Sequence, residues 1–508
     1  MDKQDKEELA EAGLEDELVE AGAPDPDEAA PPDPEVMEVA EEGLEPIPQH
    51  SKKVIVIGAG IAGLVAAYEL LESGHRPVIL EAQNRVGGRI YTLRSFAPGL
   101  YAEAGAMRIP RAHTLTLKYC EQFGLELRPF MMGNPKGLVY IGGQRMTMEQ
   151  AAADPSSLPY ELSETEAGRD INQIWEEAIA DLRELIATEG DEGWDKIVKE
   201  YDKYSLRQFL ELKGFSEGAI ELFGVMNFVE ADMGTAAIEL LREDLGGAYV
   251  DMQEIVGGMD RLPNSFYERL KNHIRFGANV HALDQDESSV TVHFKTESGR
   301  YSETADYAIV TVPFSVLRTI EVMKPFSKEK QKAIRQLHYA ASTKILFQVR
   351  NRFWEKEDGI FGGATVTDLA IRRMNYPTPD AGNERGMLLA SYTWSQDAAR
   401  WGAMDNETRL EEALDDVSRI HPSVRDAYEV GTSHAWYDDP YAGGAFALFE
   451  PGQQSSLHEA ILAPEGRYYF AGEHCSLYHA WIQGSLESGI NAAREIHEAP
   501  VEAKVRQS

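Results

Sequence analysis

Cysteine is almost missing from this 508-residue chain; Cys120 and Cys475 are its only two. Two cysteines cannot build a disulfide framework, and such usage fits a reducing compartment or indifference to redox state. No apolar run approaches the ~20 residues of a membrane-spanning helix. Residues 1–8 lead into acidic sequence rather than an apolar signal core. The expectation is a cytoplasmic protein with no membrane partner. Positive charge is scarce too: 49 Lys and Arg face 85 Asp and Glu, a formal net charge of −36. That balance excludes non-specific attraction to nucleic acid or to an anionic membrane. No metal-ligand set is expected, and no solenoid-type repeat is visible.

Residues 1–50 concentrate the imbalance. They hold 18 Asp and Glu against Lys3 and Lys6, and no Phe, Trp or Tyr. Such a segment cannot bury enough apolar surface to offset its ordering entropy. It reads as a disordered acidic tail, with a short helix over residues 6–21. The remainder is too long for one simple core and implies two or three domains.

What the chain does contain is a nucleotide fingerprint at 52–89, KKVIVIGAGIAGLVAAYELLESGHRPVILEAQNRVGGR. Val54, Ile55, Val56 and Ile57 suit a buried parallel strand. Gly58, Gly60 and Gly63 follow, interleaved with Ala59 and Ala62. The first glycine permits a tight turn, the second lets backbone approach a pyrophosphate, and the third lets the helix lie close to the strand. Residues 64–71 read as that helix, whose N-terminus offers free N–H groups to phosphate. A second apolar strand at 77–80 stops at Glu81 and Ala82. Glu81, about 20 residues on, is placed to accept from a ribose diol. A lone glycine loop is weak evidence. The strand before it, the helix after it and the acid ending the next strand make this one specific.

Further along, Gly87-Gly88-Arg89 permits a tight loop beside a ligand, with a planar donor fork to reach a phosphate. Tyr101 to Pro110, YAEAGAMRIP, places small residues beside Met107 and Arg108. Residues 113–250 carry apolar residues at helical spacing. Ser163 to Glu166 and Ser205 to Gln208 look like helix starts, the second with a capping-box pattern. From Gly257 the pattern returns to α/β, with strands around 274–283, 289–295 and 307–312. Strand-like runs at 342–349, 386–393 and 432–436 make a second sheet region, with helix at 399–421. A strand at 468–471 ends in Gly472-Glu473, and 480–497 reads as a closing helix.

The GAGIAGLVAA, LEAQNRVGGR, GAMRIP, GEH and HAWIQGSLESG segments, in this order, resemble the flavin amine oxidase superfamily, and within it the L-amino-acid oxidases. The resemblance runs over residues 52–497. It implies noncovalent FAD, with Gly58, Gly60 and Gly63 at the pyrophosphate, Glu81 at the adenosine ribose and Arg89 at phosphate. It also implies Val280 backbone at the adenine, Glu473 at the ribityl–pyrophosphate region and Trp481 at the isoalloxazine. Arg108 matches the arginine that binds the substrate carboxylate, and Tyr392 its second contact. A guanidinium grips a carboxylate through two parallel hydrogen bonds, which fixes its orientation. Lys344 matches a lysine that holds a water at the flavin; within an apolar strand such a lysine must be paired or wetted. Phe446 and Trp481 match walls of the substrate site.

Two departures stand out. Ala445 follows Gly443-Gly444, where monoamine oxidases place the cysteine that tethers flavin. Arg242 falls where venom-type oxidases carry a histidine, either to meet a substrate side chain or as a solvated helix residue. The expected architecture is mixed α/β: a discontinuous Rossmann-like FAD-binding domain at 51–112, 251–320 and 456–498, a helical domain at 113–250, and a mixed-sheet substrate domain at 321–455. The activity implied is oxidation of an L-amino acid by dioxygen to a 2-oxo acid, ammonia and hydrogen peroxide, in a homodimer. Rival readings are a monoamine or polyamine oxidase, a dehydrogenase, an amino-acid 2-monooxygenase, or a flavin-binding interaction protein without turnover.

Overall fold

The computed structural model describes residues 33–47, 51–378 and 384–500. At its centre lies a parallel five-stranded sheet. Its order is Tyr468–Phe470, Tyr307–Val310, Lys53–Ile57, Arg76–Leu80, Ile274–Arg275. The strands come from three distant stretches, so the nucleotide-type domain is discontinuous. Val54 to Ile57 are fully covered, as expected of a central parallel strand.

The glycine loop after Lys53–Ile57 is built as its spacing requires. Gly58 has φ +107°, a conformation L side chains rarely adopt. A Cβ on Gly63 would fall 2.2 Å from the Gly58 carbonyl oxygen, so only glycine lets helix Ile61–Glu72 lie this close. Gly60 instead has nothing within 4 Å of where a Cβ would stand, and it lines the main cavity.

The second sheet has seven strands in the order Tyr428–Ala435, Ser342–Val349, Gly386–Trp394, Arg373–Asn375, Ala364–Thr367, Leu138–Ile141, Gln144–Thr147. The last two amend the expectation of a helical domain at 113–250, because that stretch also closes the edge of the substrate sheet before its long helices begin. The long helices begin at Ile171, with Asp170 as N-cap, and not at Ser163. Around Ser163 the Glu166 carboxylate instead accepts from the Ser163 and Ser216 backbone. Ser205 and Gln208 do form a reciprocal capping box. The antiparallel pairing of Ser342–Val349 with Gly386–Trp394 sets Lys344 directly opposite Tyr392.

The acidic tail also needs correction. Residues 6–21 lie outside the described residues, but Pro34–Glu42 is a helix, capped by the Asp33 side chain at Glu35 N and started by proline. Val36, Val39 and Ala40, at helical spacing, are buried with Leu44 against helices Thr114–Gln122 and Ile482–Glu498. Glu35 pairs with Arg494 on the latter. Average composition hid a narrow apolar stripe that is enough to dock one short helix. Val36 is fully buried, so Val36→Asp should cost about 2–4 kcal/mol, from lost burial and a stranded charge. Hydrogen exchange over 36–43 should then accelerate; unchanged protection would mean this side chain does not hold the helix.

Candidate active site

One long cavity runs from the glycine loop to the substrate sheet. Its empty space, the solvent-facing mouth included, is about 2080 Å³. Gly58, Gly60, Ala62, Glu81, Ala82 and Val280 line one part; Arg108, Lys344, Tyr392, Phe446 and Trp481 line another, with Arg89, Met107 and Glu473 also on the wall.

At the nucleotide part, Glu81 is buried and accepts from Ala59 N and Gln83 N, both at 2.7 Å. Burial raises its pKa despite those bonds. A carboxylate has about four acceptor positions, so Glu81 keeps capacity toward the cavity. Arg89 donates through Nη1 to Ala445 O at 2.9 Å and to Glu473 Oε1 at 2.7 Å. Its other N–H groups have no partner among the described residues. Glu473 also accepts from Ala447 N and Ala480 N. Burial pushes its pKa up, but Arg89 and neighbouring imidazoles outweigh that and hold it below the ordinary value.

At the substrate part, Lys344 is 2% exposed. Its ammonium donates to Gly105 O at 2.7 Å and Glu103 O at 3.3 Å, contacts Met107 Sδ at 3.3 Å, and lies 4.6 Å from the centre of the Tyr392 ring. Burial lowers its pKa to about 7, against the pull of the Glu103 carboxylate. Burial raises Glu103 to about 7 in turn. Arg108 lies 5.8 Å from the Trp481 ring, and its one hydrogen bond among the described residues goes to Met132 Sδ at 3.1 Å. Trp481 is fixed by its Nε1 donating to Glu243 Oε1 at 2.8 Å. Phe446 packs edge-on to Trp394, which packs edge-on to Tyr392.

Three expected residues do not reach the cavity. Ala59 gives its N–H to Glu81, and Gly63 is packed against Gly58 and Thr311. Arg242 needs the larger correction. On helix Ala237–Leu245 the cavity face carries Glu239, Leu240 and Glu243. Arg242 lies roughly 200° round the helix from Leu240, half-buried beside Trp194 with Nη2 donating to Gln454 Oε1 at 3.1 Å. Sequence reasoning missed Glu243, whose second oxygen accepts from Tyr249 OH. It also missed Arg373, opposite Tyr392 on the next strand, whose pKa burial and then Arg108 press down to about 10. The i, i+4 carboxylates Glu239 and Glu243 within an apolar stripe were the readable signal.

The residues present fit a dinucleotide flavin. Open space in front of Gly60, spare acceptor positions on Glu81 and unpaired donors on Arg89 all face one cavity. Residues 61–497 match the flavin containing amine oxidoreductase family. A Bacillus subtilis (strain 168) protein provisionally named an L-amino-acid oxidase, YobN, is 40% identical over 460 residues, 89% of this chain and 96% of its own. The L-amino acid oxidase of Cerastes cerastes is 35% identical over 472 residues, 92% of this chain and 90% of its own. Among solved structures, wild-type putrescine oxidase bound to putrescine superimposes with a TM-score of 0.73 at 19% identity, covering 89% of this chain and all of that one. The cyclohexylamine oxidase of Brevibacterium oxydans IH-35A gives 0.70 at 20%, covering 88% and 99%. Fold, cavity and sequence together place this chain in the flavin containing amine oxidoreductase family.

Proposed function

We propose that this chain is an FAD-dependent L-amino-acid oxidase, converting an L-amino acid, water and dioxygen into a 2-oxo acid, ammonia and hydrogen peroxide. The observation that carries this reading is Arg108: a guanidinium on the cavity wall with no salt bridge among the described residues, while Glu243, the carboxylate that feels its charge, is already bonded to Trp481 and Tyr249. A simple amine gives it nothing to bind, whereas an amino acid offers two charge-assisted hydrogen bonds. The names of the relatives at 34–40% identity support the same substrate class.

FAD, when bound, takes up the two electrons of the oxidation. Gly58, Gly60, Glu81, Val280, Arg89 and Glu473 would hold it, noncovalently, because Ala445 offers no thiol. Cys475 and Cys120 are both free and buried, and burial pushes each thiol up to about 12. Arg108 and Tyr392 hold the substrate carboxylate, and Trp481 and Phe446 wall the space beside it. Orientation of this kind can be worth ~7–11 kcal/mol of barrier. A dry aromatic site disfavours the ammonium form, so the α-amine loses its proton before reaction. Lys344 holds the backbone that delivers Arg108. Homodimerisation is carried into this reading from the family resemblance, and a reducing, cytoplasmic location from the two unpaired thiols.

Arg108→Ala should retain its flavin and lose roughly 10–1,000-fold in kcat/KM for L-amino acids, the worth of one or two hydrogen bonds to a charged group. Unchanged steady-state kinetics would remove Arg108 from the carboxylate site. A second expectation concerns pH. As pH rises through about 7, Lys344 loses its positive charge and Glu103 gains a negative one. Both changes make the site less attractive to an anion. Affinity for a non-reacting carboxylate such as benzoate, read from flavin absorbance, should therefore weaken between pH 6 and 8.5. Lys344→Met should flatten that dependence; an identical slope in the variant would assign it to other groups.

A further inference from the structure

The helical wall of the cavity carries carboxylates where a basic side chain was expected. Asp232, Thr235, Glu239 and Glu243 line it, the last already bonded to Trp481 and Tyr249, and among the described residues no Lys, Arg or His accompanies them; the basic lining residues are Arg89, Arg108 and Lys344. Asp232 is 6% exposed and Glu239 8%. Each is only half satisfied. Asp232 Oδ1 accepts from Ser395 Oγ, and Glu239 Oε1 accepts from Phe449 N at 2.7 Å and His479 Nδ1 at 2.9 Å. Asp232 Oδ2 and Glu239 Oε2 accept nothing among the described residues. Neither oxygen is sealed in protein, so each opens to the cavity.

The two charges are balanced unequally. Burial opposes a charged imidazole at His479, but Glu239 outweighs it and holds the pKa above the ordinary value, so that pair is close to neutral. Asp232 has no cationic partner among the described residues, where Ser395 is its one side-chain hydrogen-bond donor. Burial lifts it to about 6, which leaves it ionised above neutral pH. A half-paired carboxylate at over nine-tenths burial is expensive unless a donor from outside completes it. The aromatic wall leads there: Trp394 packs on Phe446, and Ser395, the next residue, is the one that bonds Asp232.

We propose that Asp232, Thr235 and Glu239 form the subsite for the substrate side chain, and that the preferred substrate is a basic L-amino acid whose terminal cation completes these carboxylates. The proposal rests on the reading that Arg108 takes the α-carboxylate. L-Lysine and L-norleucine share a carbon skeleton and differ by the terminal ammonium, so they isolate its contribution. With the FAD-loaded enzyme, kcat/KM for L-lysine should exceed that for L-norleucine tenfold or more, as one charge-assisted hydrogen bond provides. L-Glutamate should fall below both. Asp232→Asn and Glu239→Gln should each lower the lysine-to-norleucine ratio several-fold while flavin stays bound. Should the Asp232 variant fail to fold, the wild-type ratio and Glu239→Gln still decide. A wild-type ratio at or below one, or a ratio unchanged in the folded variants, overturns the subsite while norleucine turnover keeps the oxidase reading. Flavin that no amino acid bleaches anaerobically removes both.

Discussion

The buried ammonium of Lys344 is the interaction on which the substrate part of the site depends. It stands on a strand whose eight residues are all buried, a place that strips a cation of its hydration. The compensation comes from Glu103 O, Gly105 O and Met107 Sδ, with the Tyr392 ring alongside. Those acceptors belong to the segment that delivers Arg108, and the ring belongs to the strand that delivers Tyr392. One cation therefore fixes the two proposed carboxylate contacts relative to each other. Two further contacts hold the same segment: Trp436 Nε1 donates to Ala104 O at 2.8 Å, and Gly105 lies so close to the Arg89 carbonyl that a Cβ would fall 1.7 Å from it. A bidentate grip tolerates little misplacement, and here its support is backbone held on several sides.

Local rules made part of this molecule readable. The Gly58-Gly60-Gly63 spacing dictates a turn, an open face and a tight helix crossing, and each glycine has that geometry. Ser205 and Gln208 announce a cap because both partners lie within one turn. Arg108, Tyr392, Trp481 and Phe446 share a cavity wall although they are far apart in sequence; motif order, not any local rule, brought them together on paper. Arg242 went astray because gap-free counting through a helical region says nothing about the face a side chain occupies. A shift of one residue is 100°, enough to move a group from wall to interior. The docking of Pro34–Glu42 was unreadable for another reason: a four-residue stripe is invisible in the composition of fifty.

The solved amine oxidases share this fold at 19–20% identity, so the fold does not choose between amine and amino acid. Charge placement does. Lys344, Arg373 and Arg108 all lie around Tyr392, and the electrostatic strain among them is visible in the lowered pKa of Arg373 and Lys344, to which Arg108 contributes after burial. A free ammonium without a carboxylate would add like charge to that cluster in a poorly hydrated space, where Coulomb repulsion is weakly screened. A carboxylate reverses the sign of the interaction and relieves the cluster at once. Positive charge gathered around one tyrosine at a desolvation cost suits the proposed ligand, which brings an anion to it.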